Sequence, residues 1–295
     1  MAAKPTIGFI GLGVMGEPMC RHLVQKSGFS VVVYDINAEP VARLAVLGAR
    51  KAGSVAEVAK ADVIFISLPS GAHLQKVCEG QGGLLESVAG GKLVVDLSTS
   101  PLKLTRTLAA AFNARDVDYA DAPVARTRAA AEAGTLAITV GATPPIFAKI
   151  EPLLRHFAAE VTHCGEVGSG QVVKILNNMV IVGTVTALCE AAAIAETAGI
   201  ETQALFEAFS KGSADSFALR NHGLKAVAAR LFPERTFSAE YMLKDISYAL
   251  EMAEDAKVDA REAKLGAALL QRAVDEGYGA EYWPTIIKVT EPSAK

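Results

Sequence analysis

Short apolar runs rich in β-branched residues, alternating with stretches of helical spacing, restrict what the first part of this chain can fold into. The runs are Thr6–Ile10, Val31–Asp35, Val63–Leu68 and Leu93–Leu97, then Val117–Tyr119, Leu136–Val140 and Glu160–Cys164. The early ones are bounded by Gly, Pro, Asp or Ser, as strands covered on both faces of a parallel sheet are. Pro18–Gln25, Ala38–Leu47, Ser54–Ala59 and Leu102–Phe112 carry the spacing of helices between them. Such alternation predicts a doubly wound α/β domain.

The pattern changes after about Gly168. No strand pattern follows, and Gln171–Thr197, Thr202–Phe209, Ala239–Ala256 and Arg261–Glu276 all read as helices. An all-α domain is therefore expected to follow the sheet. Three glycines between Gly165 and Gly170 set the expected boundary, giving domains 1–164 and 165–295. The most apolar stretch, Met179–Cys189, is shorter than the ~18 residues a bilayer span needs, and reads as part of a buried helix. Met1–Pro5 is too short for a signal peptide.

Bulk composition narrows the function. The apolar share is 51%, the charged share 21% and the net charge −3, with no basic stripe, so the chain reads as globular and not as a nucleic-acid binder. Cys20, Cys78, Cys164 and Cys189 lie far apart, without a CxxC, and the five histidines form no HExxH. No metal site or disulfide framework is expected, and the thiols read as reduced and mostly buried in a cytoplasmic protein.

Directly after the first apolar run comes Gly11-Leu12-Gly13-Val14-Met15-Gly16, a GxGxxG. The first glycine permits a tight turn, the second lets a pyrophosphate approach the backbone, and the third lets the helix pack closely on the strand. The second run ends in Asp35, 19 residues after Gly16, close to the ~20 of dinucleotide-binding folds. A carboxylate there accepts from the adenosine ribose hydroxyls and repels a 2′-phosphate. No arginine follows closely, so NAD is favoured over NADP. The α/β domain is accordingly expected to be of Rossmann type. Leu68-Pro69 and Asp96-Leu97-Ser98-Thr99 end two further strands, where ligands of open sheets gather; the Ser and Thr residues suit helix caps equally well.

Five segments in order resemble one family. Gly8-Phe-Ile-Gly-Leu-Gly-Val-Met-Gly16-Glu-Pro-Met19, Asp96-Leu-Ser-Thr99, Asp121-Ala-Pro-Val124, Gly165-x-x-Gly168-x-Gly170-x-x-x-Lys174-x-x-Asn177-Asn178 and Lys244-Asp245 are similar to the motifs of the β-hydroxyacid dehydrogenases, which include 3-hydroxyisobutyrate dehydrogenase. The resemblance implies NAD-dependent interconversion of a small hydroxy acid and its semialdehyde. It implies that Lys174 is the general acid/base and that Asn178 orients the substrate. It puts Lys244 beside the cofactor, together with Leu68, Pro69 and Thr99, and puts Ser98 and Val124–Thr127 around the substrate. The residues agree: a lysine in an apolar helix is costly without a partner or a task, and Lys174 and Asn178, at i and i+4, share a helix face. A lysine snorkelling to the surface and an ordinary exposed Lys244–Asp245 pair are the plainer alternatives.

The substrate loop departs from the family, which usually reads Asp-Ala-Pro-Val-Ser-Gly-Gly. Here Ala125, Arg126 and Thr127 follow Val124, resembling the 3-sulfolactaldehyde reductases. A guanidinium presents a fork of donors suited to an oxyanion, so Arg126 is expected to clamp a sulfonate or carboxylate; the alternative is an arginine in solvent or paired with Glu132. The expected partner is a small anionic substrate, with no nucleic acid and no membrane. Trp283, the only tryptophan, reads as packing. Long Ala- and Ile-rich helices need more cover than one small domain offers, which predicts a homodimer or homotetramer. Two other readings compete. One is an imine reductase, though those enzymes generally carry Asp or Tyr in place of the lysine. The other is a non-catalytic cofactor-binding scaffold, which should have lost it.

Overall fold

The computed structural model describes residues 5–291. Met1–Lys4, part of the segment read above as too short for a signal peptide, lie outside the described residues. Contacts group the chain into two compact units, Met1–Lys174 and Ile175–Lys295.

The first unit is one nine-stranded sheet with helices between its strands. The strands are β1 (Ile7–Ile10), β2 (Val31–Tyr34), β3 (Arg50–Lys51), β4 (Val63–Ile66), β5 (Leu93–Asp96), β6 (Asp118–Asp121), β7 (Val124–Ala125), β8 (Leu136–Gly141) and β9 (Ala158–Gly165). The order β3-β2-β1-β4-β5-β6 is parallel throughout and reverses direction between β1 and β4, the switch point at which Rossmann-type sheets bind ligands. Beyond β6 the sheet is mixed, because β8 runs antiparallel to both β6 and β7 and parallel to β9.

Side chains of β1, β2, β4 and β5 alternate between two apolar layers, as the period of a strand requires. Phe9, Val33, Phe65 and Val95 face one, with Met19 and Leu23 of helix Gly16–Lys26. Val32, Ile64 and Val94 face the other, with Leu108 and Phe112 of helix Leu102–Asn113. Near-complete burial on both faces explains why these strands read as unbroken apolar runs. Strands β3 and β7 did not read as runs because each has two residues, and those of β3 are charged and exposed.

In the second unit no strand occurs among the described residues. Its core gathers Val182, Val185 and Leu188 of helix Ser169–Thr197 with Phe206, Met242, Ile246, Leu270 and Trp283. Trp283 is 1% exposed, so it packs as expected. Helix Ser169–Thr197 has 29 residues and a mean hydropathy of 1.7 over its most apolar stretch. It begins two residues before the expected Gln171–Thr197 and ends where expected, and by length and composition alone it could cross a membrane. A long core helix meets the same criterion, and its buried residues form the unit's core. Two π-type segments, Leu219–Ala228 and Val274–Tyr278, had no counterpart in the reading of periodicity. Wider winding moves apolar residues off the 3.6-residue repeat, and the second segment ends the expected helix Arg261–Glu276 at Ala273.

Candidate active site

The chain leaves β1 through Gly11–Gly16 into helix Gly16–Lys26. Gly11 has φ +89°, and a Cβ there would lie 2.1 Å from the Ser67 carbonyl oxygen. A Cβ on Gly16 would lie 2.0 Å from the Gly11 carbonyl oxygen. These two glycines are therefore demanded by the protein's own packing. Gly13 differs: it is exposed, and nothing stands within 4 Å of where its Cβ would be. Room of this kind, at a helix start with no side-chain cap, suits a pyrophosphate accepting from free amides. Val14 is exposed and Met15 partly so, whereas the Leu12 side chain is buried.

Asp35, just past β2, is tied to this loop. Its Oδ2 accepts from the Leu12 amide at 2.5 Å and its Oδ1 from the Asn37 amide at 2.7 Å. Each carboxylate oxygen has a second lone pair, so ribose hydroxyls can still donate to it. The loop and the acid thus fit a dinucleotide by open space on one side and a fixed acceptor on the other.

At the same end of the sheet, the segments after β4, β5 and β6 are joined by buried polar groups. Ser98 Oγ accepts from the Leu68 amide at 2.9 Å, and the Ser98 amide donates to Asp96 Oδ1 at 2.9 Å. Ser100 Oγ donates to Asp96 Oδ2 at 3.0 Å. Asp121, the last residue of β6, accepts from the Gly168 and Gln171 amides at 2.5 and 2.7 Å. It thereby satisfies amides at the start of helix Ser169–Thr197, which have no partner within the helix. The Gln171 side chain completes the join, donating to the Ser98 carbonyl at 2.8 Å and accepting from the Ser100 amide at 3.1 Å. Pro69 is exposed and Thr99 half-buried beside these groups. Gln171 precedes Lys174 by three residues, and i, i+3 positions share a helix face. The half-buried Lys174 is therefore anchored to the carboxyl end of β5 by the turn before it. Gln171 was not singled out from sequence; a polar side chain three residues before the lysine, on the same helix face, was the available signal.

Asn178, four residues further along this helix, is 3% exposed. Its Nδ2 donates to Asp245 Oδ2 at 2.6 Å, and its Oδ1 accepts from Asn177 at 3.2 Å. Asp245 is 1% exposed, and its other oxygen lies 3.1 Å from Lys244 Nζ. Tyr241 and Tyr248 place their rings 5.6 and 5.4 Å from that ammonium. The pair is thus not the exposed one allowed for above. Its carboxylate is a buried acceptor that fixes the Asn178 amide.

The substrate loop has an unusual backbone. Arg126 adopts φ +83°, in the left-handed region, which costs a side-chain-bearing residue about 1–2 kcal/mol. It stands where the family pattern has glycine. Its Nη1 donates to the Thr135 carbonyl at 2.7 Å, and Glu132 pairs with Arg128 instead, at 2.9 Å. Val124 and Ala125 form β7, and Thr127 caps helix Arg128–Ala133 by accepting from Ala130.

Residues 6–165 match the family described as the NAD binding domain of 6-phosphogluconate dehydrogenase. Residues 168–290 match NAD-binding of NADP-dependent 3-hydroxyisobutyrate dehydrogenase. The chain is 33% identical over 286 residues to 2-(hydroxymethyl)glutarate dehydrogenase of Eubacterium barkeri, covering 97% of this chain and 94% of that protein. The chain belongs to the β-hydroxyacid dehydrogenase family. The NAD-dependent L-serine dehydrogenase of Pseudomonas aeruginosa is 31% identical, with 97% of this chain and 98% of that one covered. Among solved structures, Mycobacterium tuberculosis 3-hydroxyisobutyrate dehydrogenase with L-serine superposes with a TM-score of 0.89 at 26% identity, over 98% of this chain and 99% of that one. The protein is an oxidoreductase of the hydroxyacid dehydrogenase class, acts on small hydroxy acids and uses a nicotinamide cofactor.

Burial pushes the Asp96 carboxyl of this dehydrogenase up to about 7 and that of Asp121 up to about 6, against the lowering effect of the hydrogen bonds each accepts. Both values are raised, so the folded chain binds more protons than the unfolded chain between about pH 4 and 7. The stabilising contribution of these groups is thus lost as pH rises through that window. Urea unfolding of wild type and Asp96→Asn across the window should show wild type losing stability relative to the variant as pH rises; a constant difference would contradict the assignment. The glycines make a second prediction. Gly16→Ala should lower stability by about 1–3 kcal/mol in the same assay. Gly13→Ala should leave stability unchanged and weaken binding of the reduced nicotinamide cofactor, read by fluorescence titration. Equal effects of the two on stability would contradict the geometry.

Proposed function

We propose that this dehydrogenase is NAD-dependent and interconverts a small 3-hydroxy acid, or a hydroxy-sulfonate, and its semialdehyde, with Lys174 as the general acid/base. The observation that carries the reading is the anchoring of Lys174 one turn beyond Gln171, at the end of the sheet where the glycine loop opens. The chemistry in the relatives' names supports it. 2-(Hydroxymethyl)glutarate, 3-hydroxyisobutyrate and L-serine share one unit, a primary alcohol on the carbon next to one that bears a carboxylate.

When bound, the nicotinamide supplies or accepts the hydride. The protein's part is to hold the cofactor, orient the acid and move one proton. The glycine loop takes the pyrophosphate, and Asp35 accepts from the ribose and disfavours a 2′-phosphate, which is the ground for NAD. Leu68, Pro69 and Thr99 line the cofactor's nicotinamide side, with Lys244 beside it. Lys174 Nζ donates a proton to the carbonyl oxygen during reduction and takes one from the hydroxyl during oxidation. The Asn178 amide, held by Asp245, orients the reacting oxygen. Ser98 and Val124–Thr127 receive the substrate's acid, with the Arg126 guanidinium as its clamp. On this reading residues 1–164 are the dinucleotide-binding domain and 165–295 the substrate and oligomerisation domain. Val180 and Ile194 of helix Ser169–Thr197 are 63% and 71% exposed, apolar surface that a homodimer or homotetramer would cover.

Steady-state kinetics at 340 nm over a panel of simple, dicarboxylic and sulfonated hydroxy acids test the reading. Lys174→Ala should lower kcat by about 10²–10⁴-fold while NADH binding is retained; undiminished turnover would remove the assigned role. Arg126→Ala should cost most kcat/KM for the substrate with the second or stronger acid, about tenfold or more for a lost charge-assisted pair. Equal, small losses across the panel would remove the clamp.

A further inference from the structure

Helix Arg128–Ala133 directly follows the substrate loop, and its carboxyl end is held from outside by one side chain. His22 lies on helix Gly16–Lys26, six residues after the last glycine of the cofactor loop, and is 7% exposed. Its Nε2 lies 3.0 Å from the Glu132 carbonyl oxygen and 3.2 Å from that of Ala131. Both partners are acceptors, so Nε2 carries the hydrogen and shares it between them. The Ala131 carbonyl also accepts from the Gly134 amide at 3.2 Å, so the imidazole matters most to the Glu132 carbonyl. That carbonyl is one of those at a helix carboxyl end that have no intrahelical donor and are costly to leave without a partner.

The local backbone is built around this contact. Helix Arg128–Ala133 ends on Gly134 at φ +72°, and a Cβ there would come 3.1 Å from His22 Nε2. The glycine thus serves both the left-handed turn and the approach of the imidazole. From this end a short chain of bonds leads back to the loop. The Thr135 amide donates to the Ala130 carbonyl at 2.8 Å, and the Thr135 carbonyl accepts from Arg126 at 2.7 Å. Arg126, in its left-handed backbone, is thus braced on a residue whose position depends on the helix end that His22 grips.

We infer that His22 is a positioning residue for the substrate loop: it fixes the helix behind Val124–Thr127 to the helix that begins at the cofactor loop. The inference rests on the reading of Val124–Thr127 as the segment that receives the substrate's acid. It goes beyond that reading by naming what holds the segment in place and by tying it to the cofactor helix. Removing the donor frees the helix end, and Thr135 and the Arg126 guanidinium lose their fixed reference. The glycine loop at the other end of helix Gly16–Lys26 keeps its own packing.

Two measurements on wild type, His22→Leu and His22→Gln test it, because leucine fills the space without a donor whereas the glutamine amide can donate to a carbonyl. In hydrogen exchange, amides of residues 127–136 should exchange about tenfold faster in His22→Leu, the rest of the sheet being unchanged, and His22→Gln should recover most of the protection. In kinetics, the KM of the acid substrate should rise about tenfold in His22→Leu, with kcat within about threefold and the NADH dissociation constant unchanged. Unchanged exchange in 127–136, unchanged KM despite faster exchange, or NADH affinity falling in step with KM would each overturn the inference. Should His22→Leu not fold, His22→Asn replaces it, its amide being too short to reach both carbonyls. If wild type turns over no hydroxy acid, the substrate reading fails, while the exchange measurement still decides whether His22 holds the helix.

Discussion

Asp121, a carboxylate with no exposed surface, accepts the amide hydrogens of Gly168 and Gln171. One strand end thus holds the first turn of the helix that carries Lys174. Moving a carboxylate out of water is costly, and the cost is offset only when several donors converge on it. Here the donors are amides at a helix start, the groups that most need an acceptor. The two requirements meet at one point, and that point sets where the lysine emerges from the sheet.

The same economy of partners runs through the neighbouring segments. Asp96 holds Ser98 and Ser100, Ser98 holds Leu68, and Gln171 closes the set against the backbone between them. Three strand ends and one helix start therefore share a single buried network, whose members lose stability together if one is removed. In the helical unit Asp245 does for Asn178 what Asp121 does for the helix start. In both places a buried acid fixes a neighbouring polar group by accepting its hydrogens. The open surface lies elsewhere, at Gly13, where the protein's own atoms leave room for an anion.

Much of this was legible in the residues. Strands buried on both faces had to be continuous apolar runs, and a strand followed by GxGxxG with an acid 19 residues later has one common structural reading. Lys174 stood out because an ammonium in an apolar helix needs a reason. What escaped was of two kinds. Gln171 and His22 act through partners distant in sequence, at Ser98 and Glu132, and nothing in their neighbourhood names those partners; Asp245 was read beside Lys244, but its hold on Asn178 was not. The π-type segments and the two-residue strands β3 and β7 escaped because periodicity needs length and a regular pitch. Arg126 falls between these. It was singled out for its guanidinium, but its left-handed backbone and its hold on Thr135 were not legible.

On the proposed function, the amine of Lys174 serves the oxygen that changes between alcohol and carbonyl. A crystal structure of the enzyme with NADH and a hydroxy acid measures this directly. Lys174 Nζ should lie about 2.6–3.2 Å from that oxygen, within reach for proton transfer. A complex in which the acid is bound against the cofactor while the Lys174 amine points into bulk solvent would contradict it.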